Sequence, residues 1–555
     1  MTRTGAPSGA GRPSGGFGDT DSGEEKTGDT GRTEDSTGTG DSGTGTGRGG
    51  GRRSGGGLST KVAVVASAVG LIYGYDTGSI SGALVFLESD YHLTTLWTSV
   101  ITSVVVVGSL VGAAAGPRVA NELGRRRAML AVAFGFMAFA GLSAIPLGVW
   151  WLTVVRLFLG VTVGLATVVA PVFISEFASE HNRGRLGTAF QFFTCAGVII
   201  SLLTAWALSG SQSWEAVLGL AAAPAGAVFL ALLRFPDSPR WYAMKGRRAQ
   251  ALATLRRLEP GTEPPGHRGP GAGPDADPAA VAERRLAAIE ADLAEGEQGR
   301  FREIFTRRYA RATFFVIAFG FAVQITGNNT ILYFSPTIFA KAGFGDAADS
   351  ILASTLVQVV AALGVVLSMA VVDRWGRRPP LLLGTAAMVA GHVVMTLVFA
   401  QSRISTGTGY VATAAIGLFY LGFYFGIGSL IWVYTGEAFP ARLRSVGAGA
   451  LLLSDFVANL IATFAFPNVL ASLGGSAAFG AFAVLSVLAL VFLYRMAPET
   501  KGRSLEEIRG YWENGGHWRG PAPAGSATAS TAGAGPVPDS RGASGSRTGT
   551  GADGR

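Results

Sequence analysis

"NELGRRR" at residues 121–127 and "DRWGRRP" at 373–379 are one basic loop written twice, 252 residues apart. Two further pairs keep the same order and nearly the same spacing. "ISEFASEHNRG" around Glu176 returns as "TGEAFPARLRS" around Glu437, 261 residues on, and "PDSPR" from residue 236 returns as "PETKG" from 498, 262 residues on. One basic loop is an ordinary helix end; three pairs in register mark a duplicated unit.

Long apolar runs lie between these motifs. A helix rising ~1.5 Å per residue needs roughly 20 apolar residues to cross ~30 Å of hydrocarbon. Runs of that order fall at 61–87, 95–118, 127–148, 150–175, 187–208 and 214–235, and again at 312–341, 350–372, 380–400, 409–437, 446–470 and 473–496. The chain thus reads as an all-α membrane protein with twelve transmembrane helices in two six-helix bundles, 58–235 and 312–497. A six-span unit duplicated in parallel relates the bundles by an axis along the membrane normal and puts a substrate site at mid-membrane where they meet, which is a transporter architecture. Residues 236–311 form a polar linker of short Arg- and Ala-rich helical stretches, interrupted by "PGTEPPGHRGPGAGPDADP". Residues 1–57 and most of 498–555 are Gly-, Ser-, Thr-, Ala- and Pro-rich tails that cannot bury a core and are expected to be disordered.

Composition excludes several functions. With 48% hydrophobic and 15% charged residues among 555, the chain is too apolar for a set of soluble domains. Its net charge of +8 lies in short loops beside apolar runs, without an aromatic-studded basic face, so no nucleic-acid partner is expected. The first 57 residues carry seven basic and eight acidic side chains and no apolar h-region, unlike a signal peptide. Cys195 is the single cysteine, which rules out an intrachain disulfide and a cysteine metal site. No metal cluster, nucleophile–base pair or phosphate loop stands out, so neither an enzyme nor a cofactor is expected, and no strand precedes the glycines as a dinucleotide site requires.

Orientation follows from the basic residues. Arg118, Arg125, Arg126 and Arg127 follow the second span, Arg183 and Arg185 the fourth, Arg374, Arg377 and Arg378 the eighth, and Arg442 and Arg444 the tenth; the opposite loops offer Lys341 and Arg403. The positive-inside rule makes both termini cytoplasmic, in a multi-pass protein of the cell membrane.

The first span, "GLIYGYDTGSISGAL" at 70–84, carries an acid where one costs ~2.5 to 3.5 kcal/mol. Gly70, Gly74, Gly78 and Gly82 recur every four residues as a stripe for close helix packing. Asp76, two residues off the stripe and about 200° around the helix, faces away from it, alongside Ile72, Tyr73, Ser79 and Ile80. Arg156 in the fourth span lies within roughly 7 Å of the depth of Asp76 at 1.5 Å per residue, a gap its long side chain can close.

These motifs identify a family. "GYDTGSISG", "RLFLGVTVG", "PVFISEFASEHNRG", "PDSPRWY", "QITGNNTILYFSPTIF", "VDRWGRRP", "GEAFPARLRS" and "PETKGRSLEEI" occur in this order. Over residues 61 to about 510 the chain resembles the sugar porter branch of the major facilitator superfamily. The resemblance implies a monosaccharide carrier with alternating access, working as a monomer in the lipid bilayer. It implies a cytoplasmic gate in which, when the cytoplasmic side is closed, Glu176 pairs with Arg125 and Arg183, and Glu437 with Arg377 and Arg444. The first loop lacks the usual Asp-Arg pair before its glycine, whereas the second keeps Asp373 and Arg374, so the second network is expected to be the stronger.

For the substrate, the resemblance carries over Gln191, Gln324, Asn329 and Trp432, amides and an indole that suit hydroxyls and a flat sugar face. Tyr73 joins them from the working side of the first span, and Gln324 and Asn328, four apart, are expected to share a helical face. The bland alternative is that such amides bridge helices. The chain departs from the pattern at Val323 and Ala361, where amides are usual, and at Asp455-Phe456, where the family has an amide-Trp pair; Asp455 reads as a cavity-facing acceptor or a proton site. Proton symporters of the family resemble this chain in pairing an Asp at position 76 with Arg156. The implied role is that Asp76 takes a proton and releases Arg156, linking sugar binding to closure; the alternative is a permanent ion pair. Two other functions stay open, a facilitative uniporter of the same fold and a non-transporting sugar sensor.

Overall fold

Backbone in hydrocarbon has no water to bond, so it must satisfy its own donors and acceptors. In the computed structural model this chain does so entirely with helices. The structure describes residues 58–177, 183–258, 278–295 and 300–518, and within them there is no strand. The two tails expected to be disordered, 1–57 and the chain beyond 518, lie outside the described residues, as does most of the Pro/Gly insert.

The first bundle comprises α1 (Leu58–Ser67), α2 (Val69–Asp90), α3 (Thr95–Leu123), α4 (Arg125–Ser143), α5 (Val149–Phe177), α6 (Arg183–Ala207), α7 (Trp214–Gly219) and α8 (Ala222–Leu232). Three linker helices follow, α9 (Pro239–Met244), α10 (Arg248–Leu258) and α11 (Pro278–Glu295), joined by a small core of Ala251, Leu255, Ala282 and Leu286. The second bundle comprises α12 (Ala310–Ile325), α13 (Asn328–Ala342), α14 (Ala347–Trp375), α15 (Arg378–Phe399), α16 (Thr406–Phe425), α17 (Ile427–Ala438), α18 (Ala441–Ser472) and α19 (Gly474–Met496), and α20 (Leu505–Glu513) follows. Among the described residues, 11 helical stretches are long and apolar enough to cross a membrane. Helix α2, at 22 residues, is long enough, but its glycines, serines and three acids keep it outside that set.

The duplication is visible in the packing. In the first bundle α2 packs on α6, α3 on α5 and α4 on α8; in the second, α12 packs on α18, α14 on α16 and α15 on α19. The bundles meet symmetrically, α3 against α18 and α6 against α14. The glycine stripe of α2 is a packing face, as its spacing predicts, and the helix it meets is α6. A Cβ on Gly74 would lie 1.9 Å from the Thr194 carbonyl oxygen, and one on Gly197 of α6 2.1 Å from that of Leu71, so each backbone sits in the other's groove. That contact turns Asp76 the other way.

Candidate functional site

Arg156 Nη1 of α5 lies 3.9 Å from Asp76 Oδ1 of α2, with both side chains buried. Its Nε donates to the Ile101 carbonyl of α3 at 3.3 Å, so one guanidinium ties three helices together. Nη1 makes no hydrogen bond. The pair is therefore in charge contact, about 1 Å longer than a charge-assisted hydrogen bond. Two tyrosines connect it to the second bundle. Tyr73 hydrogen-bonds to Asn329 and lies near enough to Asp76 and Asp455 to feel their charge, and Tyr333 of α13 hydrogen-bonds to Asn459 and lies within the charge field of Asp76 and Arg156.

The other part of the site is built on a broken helix. Gly327, at φ +97°, is left-handed and ends the ladder between α12 and α13. This overturns the shared helical face expected for Gln324 and Asn328, because the two residues stand on separate helices. Gln324 Nε2 donates to Asp455 Oδ2 of α18 at 3.3 Å, and Asn328 Nδ2 donates to Asn329 Oδ1 at 3.2 Å. Gln324 Oε1 and Asn328 Oδ1 are buried without a partner. Unfilled buried acceptors cost about 1–3 kcal/mol each, and here they are groups that a ligand's donors would satisfy.

Neighbouring helices hold the break. His392 Nε2 of α15 donates to the Thr326 carbonyl at 3.0 Å, which fixes the Nε2–H tautomer because a carbonyl can only accept. Tyr420 Oη of α16 donates to the Asn328 carbonyl at 2.8 Å. The Phe482 ring occupies the space a Cβ on Gly327 would need, 2.9 Å away, and lies against the His392 ring.

The remaining sugar candidates are less tightly gathered. Gln191 is half-buried on α6, where the Cys195 thiol interacts with it and with Tyr424 of α16. Trp432 on α17 is 48% exposed, and no ring contact or hydrogen bond joins it to the amides among the described residues. The departures Val323, Ala361 and Phe456 are buried apolar side chains.

At the basic-loop end the two halves differ. Arg125 Nε lies 3.2 Å from the Glu176 carboxylate, as expected, while the Arg183 side chain lies outside the described residues. The second network, expected to be the stronger, is not formed as an ion-pair network. Glu437 makes no direct salt bridge with Arg377 or Arg444 among the described residues, although it lies near enough to Arg377 to feel its charge, and Glu437 Oε2, Arg377 Nε and Arg444 Nε are buried without hydrogen bonds. Asp373 is exposed and has no ion pair among the described residues. The ion pair that α18 does form is a neighbouring one. Arg442, two residues before Arg444 and so about 200° around α18, is the one that forms a bidentate pair, with Glu303 of the 3-10 turn Phe301–Phe305.

The repeated acids serve a different purpose. Asp237 of "PDSPR" accepts the Arg126 and Ser238 main-chain N–H groups at 3.1 and 2.8 Å. Its counterpart Glu499 of "PETKG" accepts those of Arg377, Arg378 and Lys501 at 3.0, 3.0 and 2.9 Å. Each acid thus caps the helix that follows a basic-loop glycine, Gly124 at φ +96° or Gly376 at φ +93°. Burial raises the Asp237 carboxyl above its ordinary range despite two N–H donors. Burial also pushes Glu499 upward, but three N–H donors and Arg377 outweigh it and leave that carboxyl below its usual range.

The sequence matches the family described as "Sugar (and other) transporter" over residues 62–512. The chain belongs to that transporter family. The transporter is 31% identical to the galactose-proton symporter of Escherichia coli (strain K12) over 458 residues, 82% of this chain and 95% of the relative. It is 29% identical to the arabinose-proton symporter of the same strain over 450 residues, 80% of this chain and 92% of the relative. Its fold is similar to the inward open conformation of the xylose transporter from E. coli, with a TM-score of 0.68 at 22% identity, covering 82% of this chain and 100% of the other. The transporter is thus a multi-pass membrane protein and not an enzyme.

Sequence reading of the transporter missed Tyr333, His392 and Tyr420. His392 carried a usable signal, an imidazole in the middle of an apolar run. Its partner is a main-chain carbonyl freed by a helix break, and backbone partners leave no trace in side-chain spacing.

Proposed function

We propose that this transporter imports a monosaccharide, a hexose, pentose or polyol, by proton symport through alternating access. In this reading α1 and α2 supply the twelfth span, both termini are cytoplasmic, and the protein works as a monomer. The observation that carries the proposal is the long Asp76–Arg156 contact beside a cluster of amides with unfilled acceptors. At 3.9 Å the pair is in charge contact with Arg156 Nη1 making no hydrogen bond, so protonation of Asp76 would release Arg156 without breaking one. Tyr73 and Tyr333 carry the change across the bundle interface. Gln191, Gln324, Asn328, Asn329 and Trp432 bind the sugar, and the Arg125–Glu176 pair belongs to the cytoplasmic gate.

Polar contacts between the bundles support access from the basic-loop side in this conformation. Ser81 Oγ donates to the Leu332 carbonyl at 2.6 Å, and Asn468 Nδ2 donates to Ser99 Oγ at 3.2 Å, both in the half of the molecule away from the basic loops.

The test is uptake into liposomes of a panel of hexoses, pentoses and polyols, with and without a pH gradient, while lumenal pH is followed. Sugar entry accompanied by lumenal acidification is expected. Sugar entry at unchanged lumenal pH would identify a uniporter, and binding without entry a sensor.

A further inference from the structure

Asp455 is an acid that the proton step does not use. Its carboxylate receives one side-chain hydrogen bond, from the neutral Gln324, and among the described residues no Lys, Arg or His pairs with it. Arg156 is committed to Asp76. The central region therefore holds two carboxylates and one guanidinium.

The polar groups beside Asp455 are short of donors. Gln324, 8% exposed, spends its amide N–H on Asp455 and keeps Oε1 buried and unpartnered; Asn328 spends its own on Asn329 and keeps Oδ1 in the same condition. A sugar hydroxyl brings one donor and two acceptor lone pairs, and no charge. A protonated primary amine brings three donors, no acceptor and the missing positive charge. Asp455 is half-buried, and a carboxylate drawn partly out of water without a counter-charge favours a ligand that supplies one over a neutral isostere.

We infer that the site takes monosaccharides or cyclitols bearing a protonated primary amine, with Asp455 as the counter-ion of the ammonium and Gln324 Oε1 as a further acceptor. This rests on the transport reading above and names its substrate class.

The experiment uses the full-length protein in liposomes under a fixed pH gradient, with D-glucosamine, D-glucose and N-acetyl-D-glucosamine as probes. In the wild type, kcat/KM for glucosamine is expected to exceed that for either neutral sugar at least tenfold. In Asp455→Asn the ratio of glucosamine to glucose is expected to fall at least tenfold. Should the variant fail to assemble, competition in the wild type decides: glucosamine must inhibit labelled uptake at a concentration at least tenfold below that needed of N-acetylglucosamine. Neutral hexoses entering with glucosamine excluded, or one ratio shared by wild type and variant, would overturn the amine assignment and leave transport standing. A protein that carries none of these probes and no neutral hexose, pentose or polyol loses the transport reading and this inference together.

Discussion

Asp76 and Arg156 face each other at 3.9 Å inside the first bundle, and the guanidinium's one hydrogen bond among the described residues is to the Ile101 carbonyl. Removing the carboxylate leaves a buried charge with a single neutral partner, a loss of about 3–5 kcal/mol. Asp76→Asn is expected to lower the unfolding temperature in detergent and to abolish accumulation against a gradient while sugar counterflow continues. The double variant Asp76→Asn/Arg156→Gln should recover part of the stability and none of the accumulation. Accumulation by Asp76→Asn would show that the pair is only structural.

Gly74→Val tests the α2–α6 contact. The new Cβ would start 1.9 Å from the Thr194 carbonyl oxygen, a backbone atom that cannot step aside, so the two helices must separate. Overpacking of this kind costs about 3 kcal/mol or more, and loss of folded protein on size-exclusion chromatography is expected. Gly141→Ala is the control: nothing lies within 4 Å of its Cβ position, inside α4. That change is expected to be neutral or stabilising by about 0.5–1 kcal/mol.

What the sequence disclosed follows from what was periodic. The glycine stripe of α2, the repeated loops and the intramembrane charges at 76 and 156 each left a spacing, and a packing face on α2, though not its partner α6, and the Asp76–Arg156 contact followed from it. The break at Gly327 left a different kind of signal, a glycine inside the polar run "QITGNNT" at 324–330, which a count of helical spacing passes over. Counting straight through it put Gln324 and Asn328 on one face. The second gate depends on conformation as well as spacing: the motif names Asp373, Arg377, Glu437 and Arg444 as partners for a closed cytoplasmic side, whereas in this conformation Arg442 pairs with Glu303 and Arg444 Nε is buried without a hydrogen bond.

Asp237 and Glu499 predict opposite pH effects from equivalent positions. Glu499 has a lowered carboxyl pKa in the fold, so its cap contributes fully above the unfolded value of ~4.3 and is lost as pH falls through the folded value. Asp237 has a raised one, so the folded protein takes up that proton before the unfolded chain does. Acidification toward ~3.9 therefore stabilises through it. Glu499→Gln is expected to cost about 1–3 kcal/mol at pH 7 through the lost acceptors, with the deficit shrinking as pH falls toward 4. Asp237→Asn is expected to show a deficit that does not shrink in this way. Unfolding temperatures of the detergent-solubilised variants between about pH 3 and 8, a range that extends below the unfolded carboxyl values, check both signs.

His392 acts through the Thr326 carbonyl, and hence on the turn that carries Gln324 and Asn328. His392→Phe keeps a ring against Phe419 and Phe482 but withdraws the donor, leaving a buried carbonyl unfilled at a cost of about 1–3 kcal/mol. If that cost falls on the geometry of the break, KM should rise about 5- to 100-fold, the same energy expressed as affinity, with a smaller change in turnover. A glutamine can place an N–H near the position of Nε2, so His392→Gln is expected to recover most of the affinity. A packing role would give the reverse order, with Phe close to wild type and Gln impaired, so comparing KM for the two variants separates a positioning hydrogen bond from a ring that only fills space.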